Sequence, residues 1–288
     1  MAAKPIVVGT DGSAEALRAV GWAAREAVLR GVPLRIVAAA AAPPRMTTRS
    51  APGHYQTVTD ALLGQRDQAL AAAAERAAQA DPGLLIDADA LTGAPADAIT
   101  EAGSGALMLV LGSRGGGAFA ALVLGSVSRY AASHASCPVV VIRDEAPSPY
   151  GMIAVGVGDP DRCGGALGFA FEEASLRGAA LTAVHAWIPP RDDISRAGPQ
   201  TAVLDPDGVD ADAAGQLDAL LGDCRASYPG VQVTQEVVHG HPARALIGLS
   251  ARADLVVVGR QAGHQPGPGS VRHAVLNHAH GPVVTVPS

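Results

Sequence analysis

Short apolar runs that carry no charge alternate with longer stretches whose apolar residues recur at helical spacing. The run Ala106–Leu111 is typical of the short kind, because it is apolar throughout and too short for an independent helix. This alternation predicts parallel strands with helices on both faces, and right-handed crossovers restrict the topology to a doubly wound sheet. In the first half we predict strands at Pro5–Gly9, Leu34–Ala39, Leu84–Leu91, Leu107–Leu111 and Val139–Ile142, and helices at Ala14–Arg30, Thr59–Ala80, Ala94–Ala102 and Ser128–Ser133.

The second half of the chain repeats the first. Gly9 corresponds to Gly156 at an offset of 147 residues, and the glycines at 31, 93 and 112 have counterparts at the same offset. Farther along, the offset falls to 144, so that His134 corresponds to His278 and three residues are missing from the second copy. Two copies at so long a period indicate a duplicated domain rather than a solenoid.

The proline-rich stretch Asp144–Pro149 separates the two copies, as expected of a linker. We therefore predict two domains, residues 1–146 and residues 147–288. The predicted fold class is α/β: two tandem doubly wound five-stranded parallel-sheet domains of the Rossmann-like kind, related by pseudo-twofold symmetry. In such sheets ligands bind at the carboxyl ends of the strands, where the strand order reverses.

A glycine-rich loop follows the run that ends at Leu111: Gly112-Ser-Arg-Gly115, nine residues, then Gly125-Ser-Val-Ser128. Glycine lets a backbone turn sharply and approach a ligand closely. Ser126 then opens a predicted helix, whose first amides have no partner inside the helix. A strand, a glycine loop and a helix start in this order predict a phosphate cradle, of neither the Walker nor the dinucleotide type. A flexible surface loop is the alternative.

This spacing, together with the strand ending Val8-Gly-Thr-Asp11-Gly-Ser13, resembles the universal stress protein family. The resemblance covers nearly the whole chain, in two copies. It implies that the first half binds ATP or a related adenine nucleotide, and that the protein takes part in a stress response.

The resemblance gives each part of the nucleotide its candidate residues. Asp11 is expected to accept hydrogen bonds from the ribose hydroxyls, with a local turn as the alternative. Gly9 and Thr10 supply backbone near the sugar. Ala39 lies at the end of the second strand, where the resemblance implies adenine and simple packing is an equal explanation. The phosphate candidates belong to the loop and the helix start: Gly112, Ser113, Arg114, Gly115, Gly117, Gly125, Ser126, Val127 and Ser128.

No catalytic set and no metal-ligating set is assigned. The loop has no Walker-type lysine and no evident group to position an attacking water, which favours binding and sensing over hydrolysis. Magnesium, if it accompanies the nucleotide, is expected to be held mainly by the phosphates, with Asp11 or a serine hydroxyl as a further ligand. The role of Arg114 stays open between a phosphate contact and exposure to solvent.

The second copy departs from the first at the ligand positions. The first strand of the second copy is followed by Gly158-Asp159, so the acid lies one residue later than Asp11 does in the first copy. Ala262 replaces a loop glycine, the spacer shrinks from nine residues to six, and prolines at 266 and 268 remove amide donors. We expect this second site to be weakened, altered in ligand or empty. A working cradle around Gly263 is the alternative.

Composition narrows the function classes. A net charge of −6 and an aromatic content of 3% argue against a nucleic-acid surface, which needs basic stripes and stacking rings. Three widely spaced cysteines are more typical of a protein in a reducing compartment than of a protein held together by disulfides. No apolar run approaches the roughly 20 residues of a membrane span, and the first residues lack a signal-type apolar segment. These features predict a cytoplasmic protein that binds neither nucleic acid nor membrane.

The leading hypothesis is an ATP-binding regulator or sensor in the stress response, acting on an unidentified protein partner. Members of the family pair through the last strand, here Pro138–Arg143 and Pro282–Val286, so the two halves of one chain can pair with each other. A homodimer of tandem chains is also expected, through a face that the sequence does not reveal. Two alternatives stay open. One is a slow ATP hydrolase or phosphotransferase, and the other is an interaction scaffold with a vestigial pocket.

Overall fold

The chain divides into two units, each formed mainly by one half of the sequence. We call these units the amino-terminal and the carboxy-terminal domain. The structure is a computed structural model, and it describes residues 3–41, 52–114, 124–144, 148–158, 163–187, 206–260 and 270–288.

Strands and helices alternate along the amino-terminal domain, as the apolar pattern predicts. The helices begin and end at residues that suit those positions: Ser13 caps α1 through its side chain, and Gly31 ends it in the left-handed conformation that favours glycine. The strands are β1 (Ile6–Gly9), β2 (Leu34–Ala40), β3 (Ile86–Thr92), β4 (Met108–Gly112) and β5 (Val139–Ile142), and the helices are α1 (Ala14–Arg30), α2 (Pro52–Ala78), α3 (Pro95–Ala102) and α4 (Ser126–His134).

The sheet of this domain is parallel and has the order β3-β2-β1-β4-β5. In its centre Val8 of β1 pairs with Ile36 of β2 on one side and Val110 of β4 on the other. These three strands are buried along most of their length. Because the chain runs outward from β1 to β3 and then returns to β4, the strand order reverses between β1 and β4. Their carboxyl ends therefore border the crevice where such sheets bind ligands.

The carboxy-terminal domain repeats this architecture. Its strand order is β8-β7-β6-β9-β10, and Gly156 of β6 pairs with Val184 of β7 and Val258 of β9. The strands are β6 (Met152–Val157), β7 (Ala180–Trp187), β8 (Val233–His239), β9 (Leu255–Arg260) and β10 (Val283–Pro287), and the helices are α5 (Gly164–Arg177), α6 (Pro206–Ser227), α7 (Pro242–Leu249) and α8 (Val271–His278).

The predicted α/β class and the tandem arrangement of two doubly wound five-stranded domains are confirmed. Three helix starts differ from the prediction, that of the third helix by one residue only, at Pro95 instead of Ala94. The second helix begins at Pro52 instead of Thr59, since proline is compatible with the first turn of a helix. The fourth begins at Ser126 instead of Ser128, directly after Gly125 in an extended conformation. The predicted domain boundary, between residues 146 and 147, lies outside the described residues.

A buried ion pair recurs in both domains and supports the repeat. On α1, Arg30 Nε lies 2.5 Å from Glu26 Oε1, and on α5 Arg177 pairs with Glu173 at the same i, i+4 spacing. Both carboxylate residues are buried. A buried charge is costly unless it is paired, and the arginine one turn later offsets part of the cost of burying each glutamate.

Among the helices that the structure describes, none combines the length and the apolar character that a membrane crossing requires.

Candidate nucleotide site

A cavity of about 500 Å³ opens in the amino-terminal domain where β1 and β4 end and α4 begins. We call it the amino-terminal cavity. It lies at the reversal of strand order, the edge at which doubly wound sheets bind ligands. Four separate segments bring predicted site residues to its wall: Gly9, Thr10, Asp11, Ala39, Gly112, Arg114, Gly125, Ser126, Val127 and Ser128.

Three predicted residues are not part of this described wall. Gly115 and Gly117 lie outside the described residues. Ser113 is buried, and its backbone N–H donates to the carbonyl of Ile142 at 2.8 Å. Its own carbonyl accepts a hydrogen bond from Gly125 N–H, also at 2.8 Å. Ser113 thus joins β4 to β5 and holds the start of α4 next to the end of β4.

Asp11 lines the cavity and also makes a local turn. Its Oδ1 accepts a hydrogen bond from Ser13 N–H at 3.0 Å, and Thr10 Oγ1 accepts one from Gly12 N–H at 3.1 Å. Gly12 has a φ of +80°, which favours glycine. The turn holds the Asp11 carboxylate at the cavity. The two interpretations of Asp11, local turn and ligand contact, are therefore compatible.

The start of α4 presents backbone amides that no side chain in the described part of the chain caps. Its N-cap residue is Gly125, and the helical hydrogen bond from Arg129 N–H to the Gly125 carbonyl measures 2.9 Å. The amides of Ser126, Val127 and Ser128 come before this bond and have no carbonyl partner within the helix. They also form the positive end of the helix dipole. Such a helix start favours an anion.

Ser128 and Gly112 fix the geometry of this edge. The Ser128 side chain is buried, and its Oγ donates to the Gly112 carbonyl at 2.6 Å. A serine hydroxyl has a single proton, so this bond uses the proton that a phosphate would otherwise receive. A Cβ on Gly112 would lie 2.9 Å from the backbone C and O of Glu15. Glycine is therefore required here, because β4 passes directly against the first turn of α1.

Arginines supply the positive charge of the site. Arg114 and Arg129 line the cavity, and Arg143 lies close to Arg114. Burial lowers the pKa of the Arg143 guanidinium, and the charge of Arg114 lowers it further, while Asp144 acts in the opposite direction. Arg129 was not predicted from the sequence. Its position three residues after Ser126, on the same face of α4, was the available signal.

The remaining wall is mostly apolar. Ala39 at the end of β2 is joined by Pro95 and Ile99 of α3. A Cβ on Gly9 would lie 2.6 Å from Leu111 Cδ2 and 3.0 Å from Ile99 Cγ2, so the packing of β4 and α3 requires glycine at the end of β1. Pro95 and Ile99 were not predicted from the sequence, since no motif marks them. Apolar walls with a few convergent polar groups are the usual form of a small-molecule site.

The carboxy-terminal domain has a corresponding, smaller cavity of about 310 Å³, where β6 and β9 end and α8 begins. We call it the carboxy-terminal cavity. Gly158 stands where the first copy has Asp11, so the described wall offers no carboxylate at this point. Arg260 and Arg272 line the cavity instead. The sequence analysis did not single out these two arginines.

The helix start at this second cavity is capped. Ser270 Oγ accepts a hydrogen bond from His273 N–H at 3.2 Å, which satisfies one of the amides that an anion would use. The predicted effect of the shortened loop stays a prediction. Its residues Ala262, Gly263, Pro266 and Pro268 lie outside the described part of the chain, as does the displaced acid Asp159.

Comparisons with known proteins agree with the repeat. The model of the universal stress protein family matches residues 2–143 and again residues 149–287. Universal stress protein Rv2005c of Mycobacterium tuberculosis is 37% identical over 290 residues, covering 97% of this chain and 95% of that protein. Rv2623 of the same organism is 34% identical with the same coverage. The crystal structure of a universal stress protein from Archaeoglobus fulgidus has a TM-score of 0.71 at 19% identity, covering 98% of each chain.

Proposed function

Because the chain belongs to the universal stress protein family, we propose that its amino-terminal domain, residues 1–146, binds ATP in the amino-terminal cavity. Occupancy of this cavity sets the conformation, oligomeric state or partner choice of the chain. The protein is then a nucleotide-dependent regulator or sensor in a stress response. The homodimer and the protein partner are part of this proposal.

The observation that supports the proposal is the meeting, in one cavity, of an anion-favouring helix start and a strand-end carboxylate. The amides of Ser126 to Ser128 and the guanidinium groups of Arg114 and Arg129 suit the phosphates, because hydrogen bonds to charged groups are the strong ones. Asp11 suits the ribose hydroxyls as an acceptor. The volume of about 500 Å³ is within the usual range for a site that takes a small molecule.

The adenine ring is assigned to the apolar part of the wall. Ala39 has a small side chain, and Ile99 and Pro95 complete a surface that a flat ring can contact. Their packing also serves the fold, so this is the least specific contact of the proposal. With the base in this position, the nucleotide would reach from the end of β2 to the start of α4.

Magnesium fits the same arrangement as a companion of the nucleotide. It binds oxygen ligands and commonly keeps phosphates and water in its coordination shell, so a dedicated protein cage is not needed. Within the described ranges, no three His, Cys, Asp or Glu side chains gather into a metal site. Asp11 is the carboxylate on the described wall that could add a ligand.

The test is an ATP titration of the full chain by calorimetry, with Ser126→Asp as the main variant. An aspartate in the first turn of α4 favours the helix through its dipole, so the fold is retained. The same carboxylate repels the phosphates, and we expect a loss of affinity of about 100-fold or more, or about 2.7 kcal/mol. The matched control is Ser270→Asp in the second copy, where aspartate remains a good N-cap residue.

Unchanged ATP affinity in Ser126→Asp would contradict the assigned site, as would equal losses in the two variants. Turnover separates the proposed regulator from the open alternative of a hydrolase or phosphotransferase. Robust multiple turnover of magnesium-ATP that disappears in Asp11→Ala would identify an enzyme. Absence of ATP binding by the unaltered protein would favour a scaffold.

A further inference from the structure

The apolar wall to which adenine is assigned in the first cavity recurs in the second. At the offset of 147 residues the alanine and the proline are identical and leucine replaces isoleucine, giving Ala186, Pro242 and Leu246. All three line the carboxy-terminal cavity. Leu246 packs against the end of β6, where a Cβ on Gly156 would lie 2.8 Å from its Cδ1. This half of the second cavity is therefore built as in the first domain.

The part of the wall that corresponds to the ribose contacts has changed. Val157 stands in the place of Thr10, and Gly158 stands in the place of Asp11. On the described wall, an aliphatic side chain and a residue without a side chain thus replace a hydroxyl and a carboxylate. A ribose here would meet neither of the two polar side chains that the first cavity offers.

The part that corresponds to the phosphate contacts is occupied by larger side chains. Arg260 and Arg272 replace Ser113 and Ser128 and are only 5% and 8% exposed. Both arginines have interactions of their own within the chain, so bulk is what they contribute to this end of the cavity. The helix start beside them is capped by Ser270. The volume is about 310 Å³, against about 500 Å³ in the first cavity, which favours a ligand without a phosphate chain.

One backbone acceptor is directed at this cavity. Residues along β7 point their backbone groups alternately toward β6 and toward β8. Ala180 N–H donates to the Gly151 carbonyl, on the β6 side, at 2.9 Å, so Ala186 faces the same side. The pairing of β6 with β7 ends at Val157, whose partner is the residue before Ala186. The Ala186 carbonyl therefore lies past the last strand pair, at the cavity, where it suits a ring that carries an amino group.

We propose that the carboxy-terminal cavity binds a free aminopurine base, without ribose and without phosphate. The ring lies against Pro242 and Leu246, and its exocyclic amino group donates to the Ala186 carbonyl. An apolar wall with one polar group that fixes orientation is a common form of small-molecule site. The choice of ring rests on the proposed function, because the adenine wall of the first cavity is its template. The site itself belongs to the other domain, so each can be tested without the other.

The test is a titration of the full chain with adenine, by calorimetry. Ala39→Leu fills the base wall of the first cavity, and in this background we expect one adenine per chain. Adding Ala186→Leu, the same change at the corresponding position, should weaken adenine binding about tenfold or more, about 1.4 kcal/mol. Absence of adenine binding in the Ala39→Leu background, or binding that Ala186→Leu does not weaken, would overturn the proposal.

An ATP titration of the same single variants keeps the two proposals apart. The proposed function predicts that ATP affinity falls in Ala39→Leu and is retained in Ala186→Leu. Failure of that prediction counts against the ATP site, and the adenine titration still decides the second cavity. Circular dichroism of each variant checks that the fold is retained.

Two further ligands test the chemistry of the assignment. Purine lacks the amino group and should bind a few-fold more weakly than adenine, about 0.5–1.5 kcal/mol for one hydrogen bond. Adenosine carries a ribose that this wall does not accommodate and should bind about tenfold more weakly or worse. Equal affinity for purine would overturn the role of the Ala186 carbonyl, and equal or higher affinity for adenosine would overturn the restriction to a free base.

A substitution that restores the acid of the first copy gives an independent test, also where Ala186→Leu does not fold. In Gly158→Asp the new Cβ would have no described residue within 4 Å. We expect adenosine affinity to rise a few-fold, because the ribose hydroxyls gain an acceptor, and adenine affinity to stay unchanged. An unchanged affinity for adenosine would contradict the inferred loss of the ribose contact.

Discussion

The two cavities occupy the same place in two copies of one architecture, yet their walls differ in charge and in hydrogen bonding. The first has Asp11, small serines and a helix start that no side chain caps. The second has Gly158, two buried arginines and a helix start capped by Ser270. The duplicated fold therefore specifies where a ligand binds, while the residues at the strand ends and helix starts specify which ligand.

The shared framework lies beneath the walls. In the first copy a Cβ on Gly9 would press on Ile99, and in the second a Cβ on Gly156 would lie 2.8 Å from Leu246 Cδ1, at the corresponding position of the repeat. These glycines let the helix pack against the central strand in both domains. Because packing explains them, a glycine at this point of a repeat says little about ligand binding.

The largest expected effect comes from giving the first cavity a residue of the second, by Ser128→Arg. The substitution breaks the 2.6 Å hydrogen bond to the Gly112 carbonyl and forces a long cation into a buried position. We expect ATP affinity to fall by about 100-fold or more, about 2.7 kcal/mol, and stability to fall by about 1–3 kcal/mol from overpacking. Calorimetry and denaturant unfolding measure the two effects.

Ser133→Arg, in the last turn of the same helix and away from the cavity, is the control for adding an arginine to α4. It should leave ATP affinity unchanged. If Ser128→Arg bound ATP as tightly as the parent, the difference at this position would not explain the difference between the cavities.

The next largest effect, on stability, is expected from replacing a glycine by alanine. Gly112→Ala should destabilise the amino-terminal domain by about 1–3 kcal/mol, since the new Cβ would lie 2.9 Å from backbone atoms of Glu15 that cannot easily move. In Gly158→Ala, on the wall of the other cavity, the new Cβ would have no described residue within 4 Å, and stability should change by less than about 0.5 kcal/mol.

Each domain contains one tryptophan, Trp22 in the first and Trp187 in the second. Denaturant unfolding followed by fluorescence in a Trp187→Phe background therefore reports the amino-terminal domain alone. Equal midpoints for Gly112→Ala and the unaltered protein in that background would show that β4 can move away from α1 at little cost.

The smallest effect concerns the helix caps. Ser270→Ala removes the hydroxyl that accepts from His273 N–H and should cost about 1 kcal/mol of stability in the carboxy-terminal domain. Ser126→Ala, at the corresponding position of the repeat, removes no cap, because α4 has none from a side chain. It should cost less than about 0.5 kcal/mol. Similar losses in the two variants, measured by denaturant unfolding, would contradict the contrast between the helix starts.

The strand positions and the tandem repeat could be predicted from the sequence, because short apolar runs and the spacing of glycines carry that information directly. The start of α2 could not be predicted. Pro52 ends a proline-containing stretch that is typical of a loop, but proline is equally compatible with the first turn of a helix. The apolar wall residues Pro95 and Ile99 were also missed. They reach the cavity through the packing of α3, which no local pattern encodes.

The polar wall of the first cavity was largely predictable, because most of its residues belong to three short stretches of sequence: Gly9–Asp11, Gly112–Arg114 and Gly125–Ser128. Arg260 and Arg272 were not singled out, although the repeat aligns them with Ser113 and Ser128. A polar or charged position near a loop suggests exposure, and only the tertiary structure shows that both guanidinium groups are buried on a cavity wall.

The most direct test of the central claim is a crystal structure of the full chain grown with saturating magnesium-ATP. The account predicts one nucleotide per chain, in the amino-terminal cavity, with phosphate oxygens about 2.7–3.2 Å from the amides at the start of α4 and with ribose against Asp11. An empty amino-terminal cavity, or a nucleotide bound between Arg260 and Arg272, would contradict it.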